Sequence, residues 1–325
     1  MQAGLDIVGF GPIGRELARR VASENELTNK FVVVSISDSS GAVFPKKRSE
    51  VLKAVEWKNS GHKLSELNFG KRKRESSILV DLTNSDYKKA QDARKRALDA
   101  LRSGRHFVSA NKVALSNYYE EIFSMARRRK LEIGYGATIC GGRHAISVAK
   151  NIEPGEILSA SALLNTSTTL ILSTLERDQN ITFESACQKA AESGILESDW
   201  SIDLDGIDAA AKAAILGNVL FPKSKFSFSK VARRGIRDEK ARDLIKTNQA
   251  SLGTRTRLVA EITKEKITVE PKSLPSDSTL VVSGRFNVVQ FETKTLGQIS
   301  VRNFGGGVAL TAAVVLSDLK RIVSS

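Results

Sequence analysis

The sequence predicts an α/β protein, a doubly wound parallel sheet joined to a mixed α+β region. Up to Tyr135, short apolar runs alternate with helical patterns, as in the βαβ units of a parallel sheet. Gly9, Gly11 and Gly14 fall between the first apolar run and the first helical pattern, the place of a glycine-rich turn in such a sheet. Beyond Gly136 the alternation stops, and after Pro222 the pattern becomes strand-rich.

Leu5-Asp6-Ile7-Val8-Gly9 reads as a core strand, and residues 13–22 as the helix that follows it. Phe31-Val32-Val33-Val34-Ser35-Ile36 is a second strand, nearly continuous in apolar, β-branched residues as a strand buried on both faces must be. Ile78-Leu79-Val80-Asp81-Leu82 is a third, followed by a long charged helix over 87–103. Phe107-Val108-Ser109, a helix over 118–128 and a strand over 131–135 complete the first region. The second opens with a helix at 145–151 and a strand at 157–164, then helices over 170–179, 182–193 and 207–220. Strands follow over 255–262, 266–270, 278–285, 287–292 and 297–302. A final amphipathic helix over 309–322 comes after Gly305-Gly306-Gly307.

The composition excludes several classes. Across 325 residues, 41% apolar and 26% charged side chains rule out a mostly disordered chain. No stretch approaches the roughly 20 apolar residues of a membrane helix, and no signal segment opens the chain, so we expect no membrane. Cys140 and Cys187 alone make no disulfide framework, and we expect a reducing cytoplasm. Three histidines and two cysteines are too few and too scattered for a zinc cluster. The net charge of +14 comes from runs such as Lys46-Lys47-Arg48, Lys71-Arg72-Lys73-Arg74 and Arg127-Arg128-Arg129-Lys130. These are spread along the chain without interleaved aromatics to stack bases, so we expect a basic surface that recruits small anions and no nucleic acid.

Gly9-Phe10-Gly11-Pro12-Ile13-Gly14 matches the dinucleotide fingerprint of Rossmann-type folds, in its place between strand and helix. One glycine makes the tight turn, the next lets a pyrophosphate reach the backbone, and the third lets helix pack on strand. The helix N-terminus adds free N–H groups and partial positive charge. Asp38 is either the acceptor for the adenosine ribose hydroxyls or a residue of the turn Ser37-Asp38-Ser39-Ser40-Gly41. Asp81-Leu82-Thr83-Asn84 and Ser109-Ala110-Asn111-Lys112 end strands on the carboxyl edge, where ligands of open α/β sheets bind. Thr83 there bonds the cofactor or caps a helix. Lys112 is a surface charge or a catalytic group beside the nicotinamide.

The sharpest constellation runs from Glu197 to Lys212. Asp208 and Lys212 are four apart, on one helix face. On a surface such a pair contributes roughly a few tenths of a kcal/mol. Residues 206–220 otherwise hold only Ile, Ala, Leu, Gly, Asn and Val, so this helix should be buried. A buried ion pair is a poor source of stability, whereas a desolvated lysine serves as acid or base because burial lowers a lysine's pKa. Cys140 and His144 offer another chemistry, nucleophile and base, against the plainer reading of a small buried thiol by a glycine turn.

In their order, Gly9–Gly14, Asp81-Leu82-Thr83, Ala110-Asn111-Lys112, Ala137-Thr138-Ile139, the acidic run and the segment from Gly305 to Ala312 resemble the motifs of homoserine dehydrogenases, in the short monofunctional form, over nearly the whole chain. The resemblance implies NAD- or NADP-dependent interconversion of L-aspartate 4-semialdehyde and L-homoserine, within threonine and methionine biosynthesis. It implies a dinucleotide-binding domain of residues 1–136 and 305–325, and a substrate-binding and dimerisation region of residues 137–304. Cofactor contacts would fall to Gly9, Gly11, Pro12, Ile13, Gly14, Asp38, Thr83, Asn84 and Lys112, with Gly307 closing over the cofactor. Glu197, Asp203, Asp208 and Thr168 would hold the amino-acid substrate, and Lys212, assisted by Lys112, would handle the proton. Backbone carbonyls of Gly136, Ile139, Gly141 and Arg143 match a loop that binds a monovalent cation, sodium or potassium, in some members. Where the family reads much like Asn-Gly-Thr-Thr-Asn-Tyr, this chain has Asn165-Thr166-Ser167-Thr168-Thr169-Leu170.

Further expectations follow. Asp38 favours NAD, while Lys46, Lys47 and Arg48, with Lys53 and Lys58 behind them, suit the phosphate of NADP. Dual use with a modest NADP preference is the expected outcome. The many late strands imply a homodimer, and no room remains after Ser325 for a threonine-binding regulatory module. The other readings are a Cys140-dependent semialdehyde dehydrogenase and an inactive NAD(P)-binding regulatory protein.

Overall fold

A computed structural model describes residues 2–139, 143–196 and 199–324. Two compact units result, Met1–Thr138 with Gly307–Ser325, and Ile139–Gly306.

The first unit runs β1 (Ala3–Val8), α1 (Pro12–Ser23), α2 (Asn25–Lys30), β2 (Phe31–Asp38), β3 (Gly41–Val43), α3 (Arg48–Asn59), β4 (Ile78–Asp81), α4 (Ala90–Arg102), β5 (His106–Ser109), α5 (Lys112–Arg129) and β6 (Ile133–Gly134). Its strands lie in the order β3-β2-β1-β4-β5-β6, parallel except for the β2–β3 hairpin. The chain leaves β1 for β2 on one side and later takes up β4 on the other, which opens a crevice at the carboxyl ends. Leu5, Ile7, Ile36 and Val80 of the sheet pack with Leu17 of α1 and with Val315, Leu316 and Leu319 of the last helix. Each such side chain is stabilised by roughly 1.5–3 kcal/mol on leaving water.

Several local features were not expected. The helix expected over 118–128 begins at Lys112, because the side chain of Asn111 accepts the Val113 N–H at 2.9 Å. It bends at Tyr118, whose φ of −130° and ψ of 30° are not helical. α3 buries only Val51, Ala54 and Val55, too narrow a stripe to stand out in the sequence. Asp6, buried in β1, accepts hydrogen bonds from Ser35 at 2.6 Å, Arg72 at 3.1 Å and Arg105 at 2.7 Å, and from Ser76. Arg72, exposed in the basic run 71–74, thus ties that segment to buried Asp6.

The second unit contains α6 (Arg143–Asn151), β7 (Ile157–Leu163), α7 (Thr166–Arg177), α8 (Phe183–Glu192), α9 (Ser201–Leu204), α10 (Ile207–Leu220), β8 (Ala232–Arg233), α11 (Glu239–Gln249), β9 (Thr254–Ile262), β10 (Ile267–Pro275), β11 (Phe286–Thr293) and β12 (Gln298–Phe304). Then α12 (Val308–Ser324) joins the first unit. The second sheet is ordered β12-β11-β7-β9-β10-β8, antiparallel except where β8 joins β10. No strand forms over 278–285. Leu280 and Val282 are buried there with Leu163, Val259 and Val288, but the Val282 carbonyl accepts from Arg257 Nε at 2.9 Å instead of a neighbouring strand. α7 starts four residues before the expected position, since Asn165 caps it and the hydroxyls of Thr168 and Thr169 donate back to the Asn165 carbonyl.

Candidate active site

The glycine turn separates into packed and open positions. Gly9 has a φ of +95°, and a Cβ there would lie 2.4 Å from the Leu82 carbonyl carbon. At Gly14 a Cβ would meet the Gly9 carbonyl oxygen at 2.3 Å. Both glycines are demanded by the chain's own packing. Gly11 is different: its backbone is extended, and nothing lies within 4 Å of an added Cβ. It caps α1 without a side chain, ahead of Pro12, so no side chain covers the first-turn N–H groups. A bare helix N-terminus beside open backbone fits a pyrophosphate, and the residues present therefore suit a dinucleotide.

A hydrogen-bonded strip follows along the carboxyl edge. Buried Asp81 accepts from Thr83 Oγ1 at 2.6 Å and from Arg96 Nε at 2.9 Å. Asn111 Nδ2 donates to Thr83 Oγ1 at 2.9 Å and to the Asn84 carbonyl at 3.1 Å. The Lys112 N–H reaches Ser85 Oγ at 3.1 Å. Thr83, Asn84 and the half-buried Lys112 are thereby brought together. Thr83 is not a helix cap, because the next helical turn begins at Tyr87 and is capped by Asp86. Gly307, in the same unit, is exposed with a φ of +107°.

Asp38 closes β2 and is both turn residue and ion-pair partner. Its Oδ1 accepts from the Ser40 N–H at 2.8 Å and from Ser40 Oγ at 2.5 Å, while Oδ2 lies 2.8 Å from Lys58 Nζ. Burial would raise its pKa, but Lys58 and Ser40 outweigh that and hold it below the ordinary carboxylate range. Lys46, Lys47 and Arg48 do not fold over this end as expected. The β2–β3 hairpin pairs Ile36 with Val43 and sends the chain back. The three cations instead line a cavity of about 480 Å³ with Gln2, Phe31 and Val33, at the amino end of the sheet.

In the second unit the helix periodicity places Asp208 and Lys212 together: Nζ lies 2.5 Å from Asp208 Oδ2. Nζ also donates to the Leu164 carbonyl at 2.8 Å. The two side chains are only 10% and 16% exposed, on a helix otherwise buried nearly all round. Asp203, from α9, joins them through Asn165, whose Nδ2 donates to Asp203 Oδ1 at 2.5 Å and to Asp208 Oδ2 at 3.1 Å. Ser167 Oγ donates to Asp203 Oδ2 at 2.9 Å. Burial first, and then the nearby Asp208 carboxylate, push the Asp203 pKa up against these hydrogen bonds and the charge of Lys212.

Thr168 is 1% exposed, and its hydroxyl is turned to the Asn165 carbonyl at 3.1 Å, so the hydroxyl on the acidic cluster is that of Ser167. Asn165, Ser167 and the Leu164 carbonyl were not singled out from the residues themselves. The available signal was an Asn followed by Thr-Ser-Thr-Thr, a helix-capping pattern. Glu197, Gly141 and Cys140 lie outside the described residues, as does the Arg143 side chain. Gly136, in the first unit, donates its N–H to Asp318 Oδ2 at 2.7 Å, and Ile139 is buried at the start of the second.

Comparison with known proteins gives a consistent result. Residues 9–135 match the family model described as homoserine dehydrogenase, NAD binding domain, and residues 146–319 match that of homoserine dehydrogenase. The chain is 33% identical to a homoserine dehydrogenase of Methanocaldococcus jannaschii, covering 98% of each. It is likewise 33% identical to one of Pyrococcus horikoshii, covering 98% of this chain and 97% of that one. Among solved structures, a hyperthermophilic archaeal homoserine dehydrogenase in complex with NADPH superposes with a TM-score of 0.82 at 32% identity, covering 99% and 98% of the two chains.

Proposed function

Because the chain belongs to the homoserine dehydrogenase family, we propose that Lys212, held by Asp208, is the acid–base group in its NAD(P)-dependent interconversion of L-aspartate 4-semialdehyde and L-homoserine. The observation that carries this assignment is the Lys212–Asp208 contact of 2.5 Å on an otherwise apolar helix.

A nicotinamide dinucleotide bound at the glycine turn would supply the hydride-transfer chemistry. As negative charge develops on the aldehyde oxygen during reduction, the Lys212 ammonium stabilises it and donates the proton. In oxidation the lysine amine takes the hydroxyl proton. Asp208 and the Leu164 carbonyl fix where Nζ points, and the carboxylates of Asp203 and Asp208, with Glu197, offer acceptors to the substrate's ammonium. Gly11, Pro12 and Ile13 would receive the pyrophosphate at the α1 N-terminus, Gly9 and Gly14 shape that turn, and Asp38, Thr83, Asn84, Lys112 and Gly307 would make the remaining cofactor contacts. Thr168 serves through the first turn of α7 that it helps to build.

Family membership disfavours both the Cys140 dehydrogenase and the inactive regulatory protein. The decisive assay is homoserine-dependent reduction of NADP and NAD. Cofactor binding without turnover on either would overturn the enzymatic reading.

Among the described residues, no helix is long and apolar enough to cross a membrane. We assign the protein to the cytoplasm, as a homodimer without nucleic-acid partners. β12, an edge strand ending in the exposed Phe304, supports pairing with a second copy. A monomer mass by light scattering at micromolar concentration would refute the dimer. A monovalent cation on the carbonyls of Gly136, Ile139, Gly141 and Arg143 predicts potassium- or sodium-dependent activity, checked by assay in tetramethylammonium buffer.

A further inference from the structure

We propose that Asn165 is a positioning residue for the acid–base pair, its single side-chain amide holding the carboxylates of Asp203 and Asp208 in register with Lys212. The proposal rests on the assignment of Lys212 above.

The orientation of this amide is set by its surroundings. Oδ1 accepts the Thr168 N–H at 2.9 Å as the cap of α7, so that end cannot face the acids. Nδ2 must then point the other way, and there it meets both carboxylates, at 2.5 and 3.1 Å. The residue is 3% exposed, with little water to replace those donors. The preceding carbonyl, Leu164, accepts from Lys212. Two adjacent residues, 164 and 165, therefore grip the lysine and its two acids at once.

The physical consequence is electrostatic. Two carboxylates brought close in a desolvated site repel, and each resists ionisation in the presence of the other. A neutral amide that donates to both favours the charged forms without adding a charge of its own. Asp203, whose pKa burial and Asp208 already push up, is where the loss of that donor would be felt. Among the described residues, Lys212 and Ser167 also contact the pair. Among the described residues, three acids on neighbouring elements pair elsewhere: Asp205 with Arg237, Glu261 with Lys272, and Glu270 with Arg234. His144 and Lys150 of α6, and Arg233 of β8, are exposed.

The test is Asn165→Asp, which keeps the shape and the capping acceptor but replaces the shared donor by a third carboxylate. The acidic limb of the kcat/KM profile for homoserine oxidation should move up by about one pH unit, with the cofactor Kd unchanged. A uniform loss of kcat with the limb in place would show a merely structural role and overturn the proposal. Should Asn165→Asp not fold, Asn165→Ser retains a cap and should move the limb in the same direction by less. A readout independent of turnover is the 13C titration of labelled aspartate carboxyls: the Asp203 and Asp208 resonances should titrate at higher pH in Asn165→Ser than in the unaltered protein. Unshifted resonances overturn the proposal. Absence of homoserine turnover in the unaltered enzyme would count against the functional assignment and leave this measurement to decide the role of Asn165.

Discussion

The ammonium of Lys58 lies 2.8 Å from the carboxylate of Asp38, and the two side chains are only 19% and 14% exposed. A lone aspartate at the end of β2 would repel a 2′-phosphate and select NAD. Here its charge is offset by Lys58, and Ser40 occupies its other oxygen. Of the cations expected to suit a 2′-phosphate, Lys58 on α3 is the one that meets Asp38, while those at 46–48 line the cavity at the far end of the sheet.

For cofactor choice, both NAD and NADP should support turnover, with a modest preference for NADP. Lys58→Met should lower kcat/KM for NADP by roughly 10–100-fold, the loss of one charge-assisted contact, and change NAD far less. A preference for NAD of about a hundredfold or more in the unaltered enzyme would mean that Asp38 governs after all.

For proton transfer, Lys212→Ala should reduce kcat by about 10²–10⁴-fold, the range of general acid–base groups, while cofactor binding measured by fluorescence stays near normal. Asp208→Ala should impair both kcat and KM for homoserine, because it also strips Lys212 of its partner. Near-normal kcat in the lysine variant would end the assignment.

The glycine turn makes a paired prediction. Gly11→Val meets open space, so its melting temperature should stay close to that of the unaltered protein while the Kd for cofactor rises at least about tenfold, as the branched side chain fills the pyrophosphate's approach. Gly9→Ala, strained at φ +95° and 2.4 Å from Leu82, should instead lower thermal stability even without cofactor. Calorimetry on the apo forms separates the two.

Asp6 should govern acid stability of the first unit. Burial raises its pKa, but hydrogen bonds from Ser35, Ser76 and Arg72, with the charge of Arg72, prevail and hold it below the ordinary value of 3.8. Because the folded-state pKa is the lower one, the stabilisation is full above that ordinary value and is lost as pH falls through the folded pKa. Asp6→Asn should cost about 2–3 kcal/mol near neutrality, by leaving Arg72 and Arg105 without their buried acid. It should also flatten the dependence of urea midpoint on pH below about 4.

Much of this protein was legible along the chain. The alternation of apolar runs and helices identified the parallel sheet, and the spacing of Gly9, Gly11 and Gly14 located the tight turn and open helix N-terminus after its first strand. The interval from Asp208 to Lys212 placed an ion pair on one helix face, because helical geometry alone brings residues four apart together. Tertiary structure decided the rest. Asn165 reaches Asp208 across 43 residues, Lys58 meets Asp38 only because α3 folds back after the hairpin, and residues 278–285 give a carbonyl to buried Arg257 where their apolar pattern promised a strand. A local pattern reports which face of an element is apolar and which neighbours share it. Which distant polar group meets a buried charge depends on how the chain closes on itself, and no short-range spacing encodes that.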